Sequence, residues 1–272
     1  MLRRLLNGQP AEHIHLADRG LQYGDGVFRT IKVIAGQPCW WAEQMAKLAA
    51  DAGCLGIACP PASLLRAELL QLLAEGPQDA TAKIILTRGE SARGYAAPAD
   101  LTPNRIVQLG PLPTYPAEYA QVGVAVRSCT TRASWQPALA GIKHLNRLES
   151  VLARREWQDP AIYEGLLFDR DDLLIEGVMS NVWVLLDGVL CTPRLDSAGV
   201  AGVARAQSWR AATELGWPVS ERPISRAELA GLQGLWLCNS LSGLLPVASW
   251  DGELLPRPAL TAEWQAALSR LP

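Results

Sequence analysis

Lys143, Glu176 and the glycine-led stretch Gly199–Gly202 are the places in this chain where residue type and setting could do chemistry. Lys143 stands in Ala140-Gly141-Ile142-Lys143-His144-Leu145-Asn146-Arg147-Leu148-Glu149. Of the 25 lysines and arginines, only Lys32, Lys47, Lys83 and Lys143 are lysine, which leaves 21 arginines. Arginine stays protonated, whereas a buried lysine can lose its proton and attack a carbonyl. A lysine kept in so arginine-biased a chain hints at chemistry that arginine cannot do, although base composition can produce the same bias. A nucleophilic lysine implies a Schiff base, with either a carbonyl substrate or pyridoxal phosphate (PLP). A surface lysine at a helix start reads alike, but a cation there opposes the helix dipole.

PLP needs two further elements. One is a carboxylate beside the pyridine nitrogen, which keeps the ring an electron sink. Glu176 qualifies, at the end of the apolar run Leu173-Leu174-Ile175, where a carboxylate is costly unless paired. A turn residue facing water reads the same locally. The other element is a phosphate cup. Gly199-Val200-Ala201-Gly202-Val203-Ala204 opens a predicted helix, and free N–H groups at such a start point at an anion, as they do in any plain helix start. Asn239-Ser240-Leu241-Ser242-Gly243 adds hydroxyl and amide donors. Each signal is weak, and their conjunction is stronger.

Other sites rank lower. His13 and His15 lack a carboxylate or cysteine partner, and Cys54 with Cys59 has no second pair, so no metal centre is expected. His144 is expected to pack in the core, because consecutive side chains diverge in regular structure.

The elements that must position these residues follow from periodicity. Strands are predicted over 2–6, 27–34, 81–87 and 105–109, with Asn7-Gly8 and Ala35–Pro38 as turns. Asp18–Gly26 reads as a glycine-punctuated stretch, and Arg88–Pro103 as a loop. Helices are predicted over 41–55 and 61–75. Gly110–Pro116 holds three prolines and can continue neither a helix nor an inner strand. It sets the expected division: a small N-terminal domain 1–110, a linker 111–117 and a larger domain 118–272. Beyond it the pattern predicts a strand at Val122–Val126 and an amphipathic helix over 144–157, with Leu145, Leu148, Val151 and Leu152 on one face. Strands follow at 165–169, 173–176, 181–186 and 189–192, then a helix over 203–215 and strands at 235–238 and 244–250. Asp187-Gly188 and Asp251-Gly252 are the hairpin turns. Many strands with a few helices in two lobes argue a mixed α/β (α+β) fold.

The 272 residues suffice for one large or two medium domains, and 49% hydrophobic with 19% charged residues fit a globular protein. A net charge of −2 gives no reason to expect nucleic acid or an anionic membrane as partner. No apolar run is long enough to span a bilayer. Met1–Gly8 runs into Gln9-Pro10-Ala11-Glu12 without the apolar core of a secretory signal. The six cysteines are scattered, so reduced thiols in a cytoplasmic protein are expected.

Four segments, in order along the chain, resemble the class IV aminotransferase superfamily, the fold type IV PLP enzymes. They are Asp18–Phe28 (Asp-Arg-Gly-Leu-Gln-Tyr-Gly-Asp-Gly-Val-Phe), Lys143 in its context, Glu176–Trp183, and Thr192–Asp196 leading into Gly202-Val203. Within that superfamily, Gly141–Glu149 together with Thr87-Arg88-Gly89 and Arg93-Gly94-Tyr95 are similar to the aminodeoxychorismate lyases. The resemblance implies a homodimer whose subunits hold PLP in the cleft between a small and a larger domain. It implies that Lys143 forms the Schiff base and then acts as general base, and that Glu176 binds the pyridine nitrogen. The Gly202-Val203-Ala204 backbone and the Asn239-Ser240 loop would hold the phosphate. Arg93 and Tyr95 would meet substrate carboxylates. Tyr23 and Thr30 match positions near cofactor or substrate, with Thr30 a second proton carrier. The implied reaction is conversion of 4-amino-4-deoxychorismate to 4-aminobenzoate and pyruvate, as in folate biosynthesis. The alternatives are a transaminase of the same fold acting on D-amino or branched-chain amino acids, and a non-catalytic relative. Three positions depart from the family, one being Val203-Ala204, which lacks the hydroxyl that some relatives carry at the phosphate loop. Lys47 stands where relatives often supply a phosphate-binding arginine, and loses that residue's bidentate fork. Arg29 stands where relatives often have Glu or Thr, and in the substrate pocket it would shift substrate choice.

Overall fold

The computed structural model describes residues 3–271, and the chain divides into two compact units. The first comprises Met1–Pro113 and Ile142–Asn146, and the second Thr114–Gly141 and Arg147–Pro272. The Lys143 segment therefore clusters with the first unit, although it follows the proline-rich stretch in the chain.

The first unit is built on β1 (Arg3–Leu6), β2 (Gln9–Pro10), α1 (Arg19–Tyr23), β3 (Gly26–Ile34), β4 (Gln37–Pro38), α2 (Trp41–Cys54), α3 (Ala62–Ala74), β5 (Ala80–Thr87) and β6 (Asn104–Pro111). The strands form one antiparallel sheet in the order β2-β1-β6-β5-β3-β4. Leu2, the first residue of the predicted strand 2–6, lies outside the described residues. Asn7-Gly8 and Ala35-Gly36 each hold two consecutive positive φ values, the turn geometry that matches strand twist in a two-residue hairpin. Along β3, Val27, Arg29, Ile31 and Val33 are buried while Phe28, Thr30 and Lys32 are half-buried. This period of two turns alternate residues to one face. The buried face meets Leu48 and Ala52 of α2 and Leu65 and Leu69 of α3 in one core.

The second unit contains α4 (Ala117–Gln121), β7 (Val124–Ser128), α5 (Leu148–Arg154), β8 (Ile162–Phe168), β9 (Leu174–Gly177), β10 (Asn181–Leu186), β11 (Val189–Pro193), α6 (Val203–Glu214), β12 (Val219–Arg222), β13 (Gly234–Asn239), β14 (Gly243–Trp250), β15 (Glu253–Leu254) and α7 (Leu260–Arg270). Its sheet runs β12-β11-β10-β13-β14-β7-β8-β9, with β15 hairpinned onto β14. Parallel pairs (β11–β12, β14–β7, β7–β8) are combined with antiparallel ones, so the mixed α/β expectation holds. Tryptophans fasten α6 and α7 to this sheet. Trp264 of α7 meets Trp183 of β10 and Trp236 of β13 edge-on, at centroid distances of 5.5 and 5.4 Å. Its indole N–H donates to the Ser208 carbonyl of α6 at 2.9 Å.

The helix predicted over 144–157 is a correction. Only Leu148–Arg154 is helical, and Leu148, Val151 and Leu152 are 70%, 53% and 48% exposed rather than packed in this chain. Residues 143–145 are withheld from the helix because Lys143 and Leu145 are hydrogen-bonded to β3. The short helices α1 and α4 and the longer α7 were not anticipated.

Candidate active site

Lys143 sits on an extended segment laid against the start of β3. The Phe28 N–H donates to the Lys143 carbonyl at 3.0 Å, and the Leu145 N–H to the Gly26 carbonyl at 2.9 Å. His144 forms an antiparallel bridge with Val27. The alternation of an extended chain buries Ile142 and His144 and leaves Lys143 half-buried, facing the other way. Lys143 Nζ lies 4.6 Å from the centre of the Phe28 ring. Thr30 shares that face of β3 with Phe28. Lys83 of the neighbouring β5 pairs with Thr30 and places its ammonium 4.9 Å from the same ring. Burial lowers the Lys83 pKa.

Arg29 corrects an expectation. It is 2% exposed, on the core face of β3, and donates to Asp51 of α2, so it offers no surface to a substrate. Strand parity is the reason, since the residue after Phe28 must face the opposite side. Asp51, 1% exposed, also pairs with Lys47 one helical turn earlier and accepts the backbone N–H of Lys143 at 3.1 Å. Burial, then the nearby Arg29, lowers the Lys47 pKa to about 8.

Arg93 and Tyr95 are exposed on the loop between β5 and β6. A buried arginine organises that loop. Arg19 donates to Ser91 Oγ and the Gly94 carbonyl at 3.0 Å each and to the Tyr95 carbonyl at 2.9 Å. Asp25 holds Arg19 and Arg88 together, accepting from each at 2.8 Å. Burial works to raise the Asp25 pKa, but the two guanidiniums outweigh it and the carboxyl lies below its ordinary value. Tyr23 stacks at a tilt on Tyr95, 5.5 Å between centroids, and its hydroxyl accepts the Gly94 N–H at 3.2 Å.

In the second unit Glu176 is buried on β9, and one carboxylate oxygen accepts the Val200 N–H at 2.8 Å. Gly199 makes that approach possible. It has φ +80°, and a Cβ there would press on Ile175, Leu195 and the Glu176 carboxyl carbon. Asn181 then ties the loop to α6, donating to the Val200 carbonyl at 2.7 Å and accepting the Gly202 N–H at 3.1 Å. Gly202 caps α6 without a side-chain hydrogen bond, and the first turn carries no acidic residue. The Val203 and Ala204 side chains are buried, so these residues have only backbone to offer an anion. Asn239 closes the nearby β13–β14 turn by accepting the Leu241 and Ser242 N–H groups at 2.9 and 2.8 Å, with Ser240 inside the turn.

A second carboxylate was not anticipated. Glu164 of β8 has no solvent exposure and accepts the Met179 N–H and, at 2.9 Å, the Ser180 hydroxyl. Burial pushes its pKa up to about 7, against the pull of those two donors, and Glu176 adds to the rise. Asp51, Lys83 and Glu164 all escaped the sequence reading. For Lys83 a signal was present, as it is one of four lysines and alternates with the buried residues of its strand.

The donor set fits PLP. A lysine is held by its backbone, a buried carboxylate stands under a glycine loop, and an uncapped helix start suits a phosphate. Comparison with known proteins agrees. The chain is 44% identical to a crystal structure of 4-amino-4-deoxychorismate lyase from Pseudomonas aeruginosa, with a TM-score of 0.93 and 97% of each chain covered. It is 33% identical to aminodeoxychorismate lyase from Vibrio harveyi over 89% of each chain. It is 29% identical to D-alanine aminotransferase from Bacillus licheniformis, covering 98% of this chain and 96% of that one. The model of the amino-transferase class IV family matches residues 26–250. That match runs through both units and takes in Lys143 and Glu176, and the chain belongs to the class IV aminotransferase family.

Proposed function

We propose that the protein is a PLP-dependent lyase that converts 4-amino-4-deoxychorismate to 4-aminobenzoate and pyruvate. The carrying observation is the 44% identity to a lyase of that name over nearly the whole chain, joined to a half-buried lysine whose backbone is fixed. Lys143 would hold the cofactor, Glu176 its ring nitrogen, and the Gly202-Val203-Ala204 N–H groups with the Asn239-Ser240 loop its phosphate. Lys47 would add a further cation on the phosphate side of the site. When bound, PLP supplies an electron sink for the carbon that bears the substrate amine.

Lys143 Nζ takes the proton from that carbon. The bond to the enolpyruvyl oxygen then breaks, the ring becomes aromatic, and a proton returned by Lys143 or by Thr30 completes pyruvate. Arg93, Tyr95 and Tyr23 bind and orient the substrate carboxylates. We further propose a cytoplasmic homodimer. The exposed apolar face of α5 and six unpaired thiols support it.

The test incubates the pure protein with 4-amino-4-deoxychorismate and follows both products. Equimolar pyruvate and 4-aminobenzoate are expected, and Lys143→Ala should abolish both products and the visible band of the bound cofactor. The similarity to D-alanine aminotransferase defines the rival outcome. If no product forms while D-alanine or leucine converts the cofactor to its amine form, the chain is a transaminase.

A further inference from the structure

Three donors converge on one buried carboxylate, and one of them is the backbone of Lys143. Asp51 Oδ1 takes the Lys47 ammonium, and Oδ2 takes both the Arg29 guanidinium and the Lys143 N–H. The arrangement follows from local rules. Parity on β3 drives Arg29 into the core, and α2 presents Lys47 and Asp51 four residues apart on one face. A buried guanidinium must be paired or the fold pays its desolvation. Asp51 does this, while Arg29 Nε is buried with no hydrogen-bond partner of its own.

The Lys143 peptide is thus held on both sides. Its carbonyl accepts from Phe28 of β3, and its N–H donates to Asp51 of α2. A lysine that leaves its anchoring bond and carries a proton must come back to the same place. Fixing its peptide restricts the motion to the side chain.

We propose that Asp51 is a positioning residue for Lys143, fixing that backbone with a carboxylate whose charge is maintained by Arg29 and Lys47. This rests on Lys143 being the cofactor lysine. It gives Arg29 a role that needs no substrate contact: the unusual cation on β3 and the unusual acid on α2 are two halves of one device.

The first measurement uses cofactor-free protein, so it is independent of turnover. Hydrogen exchange resolved at the Lys143 amide should speed at least about tenfold in Asp51→Ala, with exchange in β5 and β6 unchanged. Asp51→Asn keeps an acceptor without the charge and should fall between. In the PLP-loaded enzyme both variants should lower kcat about a hundredfold with little change in KM. They should also shift the pH midpoint of the cofactor's visible band. If Asp51→Ala fails to fold because Arg29 is left unpaired, Arg29→Met/Asp51→Ala removes both buried charges and the acceptor at once. Fast Lys143 exchange and a shifted band in that variant support the proposal. Wild-type exchange and an unshifted band in any folded variant overturn it, since Asp51 would then serve only to neutralise Arg29. Retention of the cofactor band by Lys143→Ala would instead refute the cofactor assignment, leaving the exchange result standing.

Discussion

Glu164 carries a proton near neutrality because it has been stripped of water and set beside another acid. Its pKa of about 7 lies above the ordinary 4.5, with burial the main cause and Glu176 a contributor. The folded state therefore binds a proton that the unfolded state releases between these values. Stability falls as pH rises from about 4.5 to about 7, and the loss is complete above that range. A rise of this size corresponds to at most about 3 kcal/mol. Glu164→Gln can still accept the Met179 N–H and donate to Ser180 but cannot ionise. Urea unfolding at pH 5 and pH 8 should show the variant gaining stability relative to the parent at the higher pH. A difference that does not change with pH would refute the assignment. Lys143 and Glu176 stand out in the sequence as candidates because each is an odd residue in its setting. Glu164 and Asp51 do not, because a buried acid and a solvated one look the same until the partners are known. Arg29 was misassigned although the alternation of β3 was in view. Applying parity to Phe28-Arg29-Thr30 separates the core-facing residue from its neighbours.

Elements were legible where period and punctuation agreed, as in β3, β5, α2, α3 and α6. The Asp187-Gly188 and Asp251-Gly252 hairpins form as expected, each with two positive φ values in sequence. The helix over 144–157 failed at its start because backbone bonds to Gly26 and Phe28 hold residues 143–145 extended, a long-range effect that no local pattern reports. By contrast α7 could have been read from Leu260, Trp264, Ala267 and Leu268, an apolar face at helical spacing. The loop Arg88–Pro103 is irregular, yet Arg19 reaches into it from α1 with three hydrogen bonds. Arg19→Met should therefore loosen Arg93-Gly94-Tyr95 without touching Lys143. Charged hydrogen bonds contribute about 1.5–3 kcal/mol each, so a loss of about 2 kcal/mol would raise KM about thirtyfold. In that variant kcat should stay within about threefold, and proteolysis should become faster in residues 90–96. An unchanged KM would show that the loop needs no such clamp, or that it does not meet substrate.

At the scale of the whole molecule, the second unit can bury its sheet because tryptophans lock α6 and α7 onto β10 and β13. This packing anchors the middle of α6, and Asn181 of β10 holds its start, where the cofactor phosphate is proposed to lie. The same unit leaves α5 with Leu148, Val151 and Leu152 in solvent. Three such residues on a seven-residue helix resemble an interface rather than scattered surface leucines. In the proposed homodimer this face is covered by a second copy of the chain. Val151→Glu/Leu152→Glu then places two carboxylates where apolar contact is expected, while each subunit loses little because both positions are about half exposed. Light scattering after gel filtration should fall from twice 29.4 kDa for the parent to 29.4 kDa for the variant, with unchanged circular dichroism. Products should then form more slowly at low protein concentration, where parent dimers persist. A variant that keeps the mass of a dimer and full turnover places the interface elsewhere, and one parent mass of 29.4 kDa at working concentration removes the homodimer altogether.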